Sequence, residues 1–116
     1  MTEPRRLEGK QTILRIYFGE SDRVKRKPFS DYVVERARAR GLAGCTVLRA
    51  ITGFGANSIV RTASVLALSV DLPLVVEIVD ELARIEGLLA ELDPVMPGVL
   101  VTLQEVEVRR YCAPGG

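Results

Sequence analysis

The chain has 116 residues, 47% of them hydrophobic and 27% charged, with a formal net charge of +1. That length holds one domain around one core, the apolar content excludes a disordered chain, and the near-neutral balance excludes a strong overall attraction to nucleic acid or an acidic membrane. Apolar runs such as Leu72–Val76 are too short to cross a bilayer, and Met1–Lys10 has no signal-peptide core, so a cytoplasmic protein not inserted in a membrane is expected.

Met1–Lys10 is polar and reads as a flexible tail ahead of a domain over residues 11–110, with a second tail at 111–116. Gln11–Phe18 alternates as a strand, with Thr12, Leu14, Ile16 and Phe18 on one face and Ile13 and Tyr17 on the other. Gly19–Lys27 is a polar loop. Pro28–Arg40 has helical spacing at Phe29, Val33 and Ala37, and Gly41 suits the left-handed residue after its last turn. Cys45–Thr52 is β-branched and reads as a second strand. Gly53–Ser69 has no settled period, although Val65–Leu68 has the makings of a short strand. Leu72–Val79 is a near-continuous apolar run, the pattern of a central strand. Asp80 is placed to cap a helix over Glu81–Leu92 with a stripe of Leu82, Ile85, Leu89 and Leu92. Asp93-Pro94 ends that helix and Pro97-Gly98 makes a turn. Val99, Val101 and Leu103 alternate in a last strand, whose phase shifts at Val106 and Val108 as a bulge would shift it.

The order β-α-β-β-α-β predicts an α+β, ferredoxin-like domain: a four-stranded antiparallel sheet with two helices on one face. Many unrelated functions use this fold, so residues must decide between them. Apolar residues on both faces of the first and third strands leave one sheet face uncovered by helices. That predicts self-association through the uncovered face, closing into a ring of identical copies.

No catalytic constellation is visible. The chain has no histidine, which removes the commonest general base and a common metal ligand. Cys45 and Cys112 form no CxxC and are expected to stay reduced. Asp80 and Glu81 read as helix-start residues, and Glu105 and Glu107 as one face of the last strand, so neither a carboxylate pair nor a metal site is assigned. Arg23, Lys25, Arg26 and Lys27 read as a solvated basic loop, or as a dock for phosphate or an acidic partner. Gly53-Phe54-Gly55 reads either as a hairpin connection anchored by Phe54 or as glycine backbone open to an anion. Gly41-Leu42-Ala43-Gly44 needs no role beyond a helix stop and strand entry.

Three stretches carry a family resemblance: Leu14 to Asp22 (LRIYFGESD), Gly41 to Gly55 (GLAGCTVLRAITGFG) and Asp71 to Asp80 (DLPLVVEIVD). Together they resemble the uncharacterised PII-like family DUF190 over about Thr12 to Val108. That family is similar to the nitrogen-regulatory PII proteins, trimers that bind adenine nucleotides between subunits and reach partners with a long loop. The resemblance implies a regulator, not an enzyme. It places a ligand, an adenine nucleotide or another small anion, at Gly44, Cys45 and Thr46 of one chain. Gly53, Phe54, Gly55 and Asn57 of the neighbour would complete the pocket, with Arg109 and Arg110 from a neighbouring subunit as phosphate partners. It makes Ala56, Ser58, Ile59, Val60, Arg61, Thr62, Ala63 and Ser64 a partner loop, expected to be mobile and readily cut, facing a membrane transporter or an enzyme.

The sequence departs from PII at Ala56, where PII has an arginine, and at Asp80-Glu81, where PII has a glycine-rich lysine loop. A ligand of low charge, such as a monophosphate or a cyclic nucleotide, is therefore expected over a triphosphate. A ligand-free adaptor and a nucleotide-acting enzyme are the alternative readings.

Overall fold

The computed structural model describes residues 5–54, 61–62 and 71–114. Its main sheet has four antiparallel strands in the order β4-β7-β1-β8. These are β1 (Arg5–Gly19), β4 (Thr46–Arg49), β7 (Pro73–Asp80) and β8 (Leu100–Ala113). Helices α1 (Phe29–Ala39) and α2 (Leu82–Leu92) pack on the sheet, and a 3-10 turn, Asp93–Val95, follows α2. Two-residue ladders complete the chain: β2 (Arg23–Val24) with β3 (Lys27–Pro28), and β5 (Thr52–Gly53) with β6 (Arg61–Thr62). This is the ferredoxin-like arrangement expected from the order of elements.

The core lies between the helices and one sheet face. Leu14, Ile16 and Phe18 of β1 and Leu74, Val76 and Ile78 of β7 meet Phe29, Val33 and Ala37 of α1 and Ile85, Leu88 and Leu92 of α2. The stripe of α1 is the one its spacing predicts. That of α2 is rotated: Leu88 is buried, Leu89 only partly, and Leu82 is 50% exposed. Two neighbouring stripes fit the same apolar sequence, and packing against the sheet selects one.

Helix α1 ends in a left-handed glycine motif. Gly41 has φ +72°, its N–H donates to the Arg38 carbonyl at 3.0 Å, and the Leu42 N–H donates to the Ala37 carbonyl at 3.1 Å. Both bonds satisfy last-turn carbonyls that would otherwise lack partners. The motif turns the chain sharply toward β4.

Both chain ends differ from the sequence reading. Arg5–Lys10, expected in a tail, belongs to β1, and Tyr111–Ala113 belongs to β8; the two pair with each other. Pairing of β1 with β7 stops at Thr12↔Asp80, so the outer ends of β1 and β8 continue as a two-stranded ribbon. The expected irregularity of β8 falls in that ribbon. Gly9 pairs with Val108 and Leu7 with Tyr111, so Arg109 and Arg110 stand opposite Glu8 alone. That is a β-bulge, and Gly9 at φ +75° takes the bend. Polar composition hid these strand ends because their partner is distant in sequence.

The sheet face away from the core carries Ile13, Tyr17, Val75 and Val79, with Leu48, Leu100 and Val106 beside them by register. Paired residues in neighbouring strands share a face. Across it Arg15 Nε donates to Glu77 at 2.9 Å and Arg15 Nη1 to Gln104 at 3.0 Å.

Candidate functional site

A cleft of about 340 Å³ lies where the segment entering β4 meets the bent ribbon. One wall is Ala43, Gly44, Cys45 and Thr46. Leu7, Val108, Arg110 and Tyr111 form the other, with Glu77 and Val79 between them. The lining is mainly apolar, with Arg110 as its cation and Glu77, paired to Arg15, as its carboxylate.

The bulge explains why Arg110 and Tyr111, successive residues on a strand, both reach this cleft: one extra residue breaks the alternation that would send them to opposite faces. The Tyr111 hydroxyl donates to the Ala43 carbonyl at 2.6 Å. Cys45 is half-buried, and burial pushes its thiol pKa up.

Asp80 is not the helix cap expected of it. It is the last residue of β7, is 0% exposed, and the α2 cap position is Glu81, with no side-chain cap bond. Its carboxylate instead gathers four donors. Arg5 donates through both Nη1, at 2.8 Å, and Nη2. The backbone N–H groups of Ala43 and Glu81 donate at 2.9 and 2.6 Å. Burial alone would raise the carboxyl pKa, but Arg5 and the two N–H groups outweigh it and hold it below the ordinary range. The charge at this corner is therefore compensated inside the chain, which the sequence, with Arg5 assigned to a tail, did not reveal.

Of the residues expected to bind a ligand, Gly44, Cys45 and Thr46 meet in this cleft with Arg110, which was expected from a neighbouring subunit and reaches it within one chain, whereas Arg109 does not line it. Gly53 and Phe54 lie beyond the far end of β4. Gly53 has φ +146° and packs so close to Pro73 that a Cβ there would sit 3.3 Å from Cγ. Phe54 is 68% exposed and Ile51 77% exposed. A single chain does not unite these two groups. Gly55, Asn57, Ala56, Ser58, Ile59, Val60, Ala63 and Ser64 lie outside the described residues; Arg61 and Thr62 form β6. Leu7 and Tyr111 are cleft residues that sequence reasoning missed, as is Arg5, which holds Asp80 and the Gly41 carbonyl behind the cleft. The bulge signal at Val106 and Val108 was the clue that β8 continues past Arg110.

A four-stranded antiparallel sheet with two helices on one face is the fold of PII-like proteins, and solved structures of that class superimpose on this chain. CPII from Thiomonas intermedia K12, bound to ADP and bicarbonate, matches with a TM-score of 0.62 and 12% identity, covering 93% of each chain. The apo form of CPII, a nitrogen regulatory PII-like protein, matches with a TM-score of 0.58 and 11% identity, over 96% of this chain and 99% of that one.

The chain itself belongs to the DUF190 family, described as "Uncharacterized ACR", whose model matches residues 11–108. A UPF0166 protein of Aquifex aeolicus (strain VF5) is 43% identical over 85% of this chain and 93% of that protein. A UPF0166 protein of Methanocaldococcus jannaschii is 30% identical over 72% of this chain and 76% of its own length. Among the described residues, no helix is long and apolar enough to cross a membrane.

Proposed function

We propose that this protein is a PII-like regulator that binds a small anion of low charge, of the nucleoside monophosphate or cyclic nucleotide kind, and signals to a protein partner without turning the ligand over. The observation that carries the reading is the cleft at Gly44–Thr46: exposed strand-entry backbone, an apolar lining for a base, and one guanidinium, Arg110. Backbone N–H and C=O groups recognise a base edge, the Thr46 hydroxyl adds a donor and acceptor, and one cation suits one phosphate. The ADP and bicarbonate bound by CPII support an adenine nucleotide or another small anion as the ligand, and AMP is bound beside them in a further CPII structure.

In this reading the chain works as a cytoplasmic homotrimer. The sheet face bearing Ile13, Tyr17, Val75 and Val79 is covered by neighbouring copies, and Gly53, Phe54, Gly55 and Asn57 of one subunit complete the cleft of the next. Ala56 and residues 58–64 form the partner surface, offered to a membrane transporter or an enzyme. The absence of histidine favours binding over catalysis. Exposed Ile51 and Phe54 favour the alternative of an adaptor without a small ligand.

Gly44→Val tests the reading directly. A Cβ at Gly44 meets nothing within 4 Å, so valine adds bulk to the cleft wall without a clash. Calorimetry with AMP, cyclic AMP, ADP and ATP is expected to show binding to the parent, weakest for ATP, and none to the variant. Unchanged affinity in Gly44→Val would move the ligand elsewhere; no heat from the parent with any of the four would favour the adaptor.

A further inference from the structure

We propose that the end of the β1–β8 ribbon is a clasp that sets the shape of the cleft, with Arg5 and Tyr111 as positioning residues for Gly44–Thr46. Gly44 and Cys45 lie in neither helix nor strand, so no regular ladder fixes them. Their position is set from outside by bonds to Gly41 and Ala43, in the turn before Gly44. Arg5 Nη1 donates to the Gly41 carbonyl at 2.9 Å. The Ala43 N–H donates to Asp80 Oδ2, the oxygen that also accepts from Arg5 Nη1. The Ala43 carbonyl accepts from Tyr111. Both backbone groups of Ala43 are thus committed, one to the end of β7 and one to the end of β8.

Arg5 does not line the cleft. Its guanidinium fork spans two acceptors, a carboxylate and a carbonyl, which an ammonium cannot reproduce. It also neutralises the buried charge of Asp80, one residue away through the Ala43 amide from the cleft wall. The ribbon carrying Arg5 has no β7 neighbour beyond Thr12 and turns at Gly9 and the bulge, so it is an arm laid back over the loop. Releasing Arg5 frees the arm and the loop together, while the core around Ile16 and Val76 stays packed.

Cys45 reports on this without any ligand, because it lies in the held segment and its half-buried side chain packs against the core from there. In a Cys112→Ser background, iodoacetamide at a fixed alkaline pH reads the release of this segment as the Cys45 alkylation rate. Arg5→Gln is expected to raise that rate roughly tenfold, the worth of one charged hydrogen-bonded contact. Arg5→Lys, which keeps the charge and loses the fork, is expected to fall between it and the parent. Tyr111→Phe, which removes one hydroxyl, is expected to raise the rate about threefold. Ile16→Val, a core change that lowers global stability, is expected to leave it at the parent value. A folded Arg5→Gln that alkylates at the parent rate overturns the clasp. If Arg5→Gln does not fold, Tyr111→Phe decides, and an unchanged rate there overturns it.

The proposal rests on the ligand reading only in that both concern the same cleft. Failure of AMP to slow Cys45 alkylation in the parent would count against the ligand and leave the clasp to be judged from the nucleotide-free rates.

Discussion

Replacing Asp80 by alanine removes the acceptor for four donors at once. The side chain is 0% exposed, whereas that of Arg5 retains 24% exposure. The two partners therefore respond differently. The Ala43 and Glu81 N–H groups lose a buried acceptor, a cost of about 1–3 kcal/mol for each group left without a partner. The Arg5 guanidinium can turn partly to water, which keeps the loss below the 3–5 kcal/mol typical of a fully buried broken pair. A total of about 3 kcal/mol follows, a large share of the 5–15 kcal/mol that holds a domain folded. With a urea slope of about 1–3 kcal/mol per molar, the midpoint should fall by roughly 1–3 M, read by circular dichroism at matched protein concentration. The pH dependence gives a second reading. The folded carboxyl of Asp80 lies below its unfolded value, so its stabilisation is complete above the unfolded pKa, about 3.9, and is lost as pH falls through the folded one. The parent should therefore lose more stability than Asp80→Ala between about pH 6 and pH 3. A loss under about 1 kcal/mol, with parallel pH profiles, would refute the reasoning.

Gly9→Ala should destabilise by about 1 kcal/mol in the same urea assay, because φ +75° penalises a Cβ even though the Cβ meets no atom. Gly87→Ala should do the opposite. It replaces a glycine in α2, a gain of roughly 0.5–1 kcal/mol, and the atom in the way is the flexible end of Arg40, Nη2 at 2.5 Å from the ideal Cβ; a loss of stability would show that Arg40 cannot move aside. Val75→Lys, at the centre of the uncovered sheet face, should convert a trimer to monomer in light scattering with the far-ultraviolet spectrum unchanged; a monomeric parent would remove the basis of the subunit-cleft reading.

The order of elements was legible in the sequence because each is a local signal. Alternation in Gln11–Phe18, spacing of four in Phe29, Val33 and Ala37, and the apolar run Leu72–Val79 report which backbone buries which face. The three motif stretches carried the family in the same local way. Gly44, Cys45, Thr46 and Arg110 were assigned to a ligand on resemblance, and they meet at one cleft.

What the sequence by itself could not decide depended on contacts between distant residues. Arg5 reads as a charged residue in a polar tail, and Asp80 as a helix cap, until β1 pairs with β8 and carries one to the other across 75 positions. The stripe of α2 was ambiguous for the same reason, since Leu88 and Leu89 are equally apolar and only the sheet beneath selects between them. The bulge at Arg109 and Arg110 left a trace in the phase of β8, but its consequence, Tyr111 turned onto the Ala43 carbonyl, required the loop after α1 to be in place. Local periodicity determined the elements. Pairing between chain ends, paid for by buried hydrogen bonds that no local pattern encodes, decided the cleft.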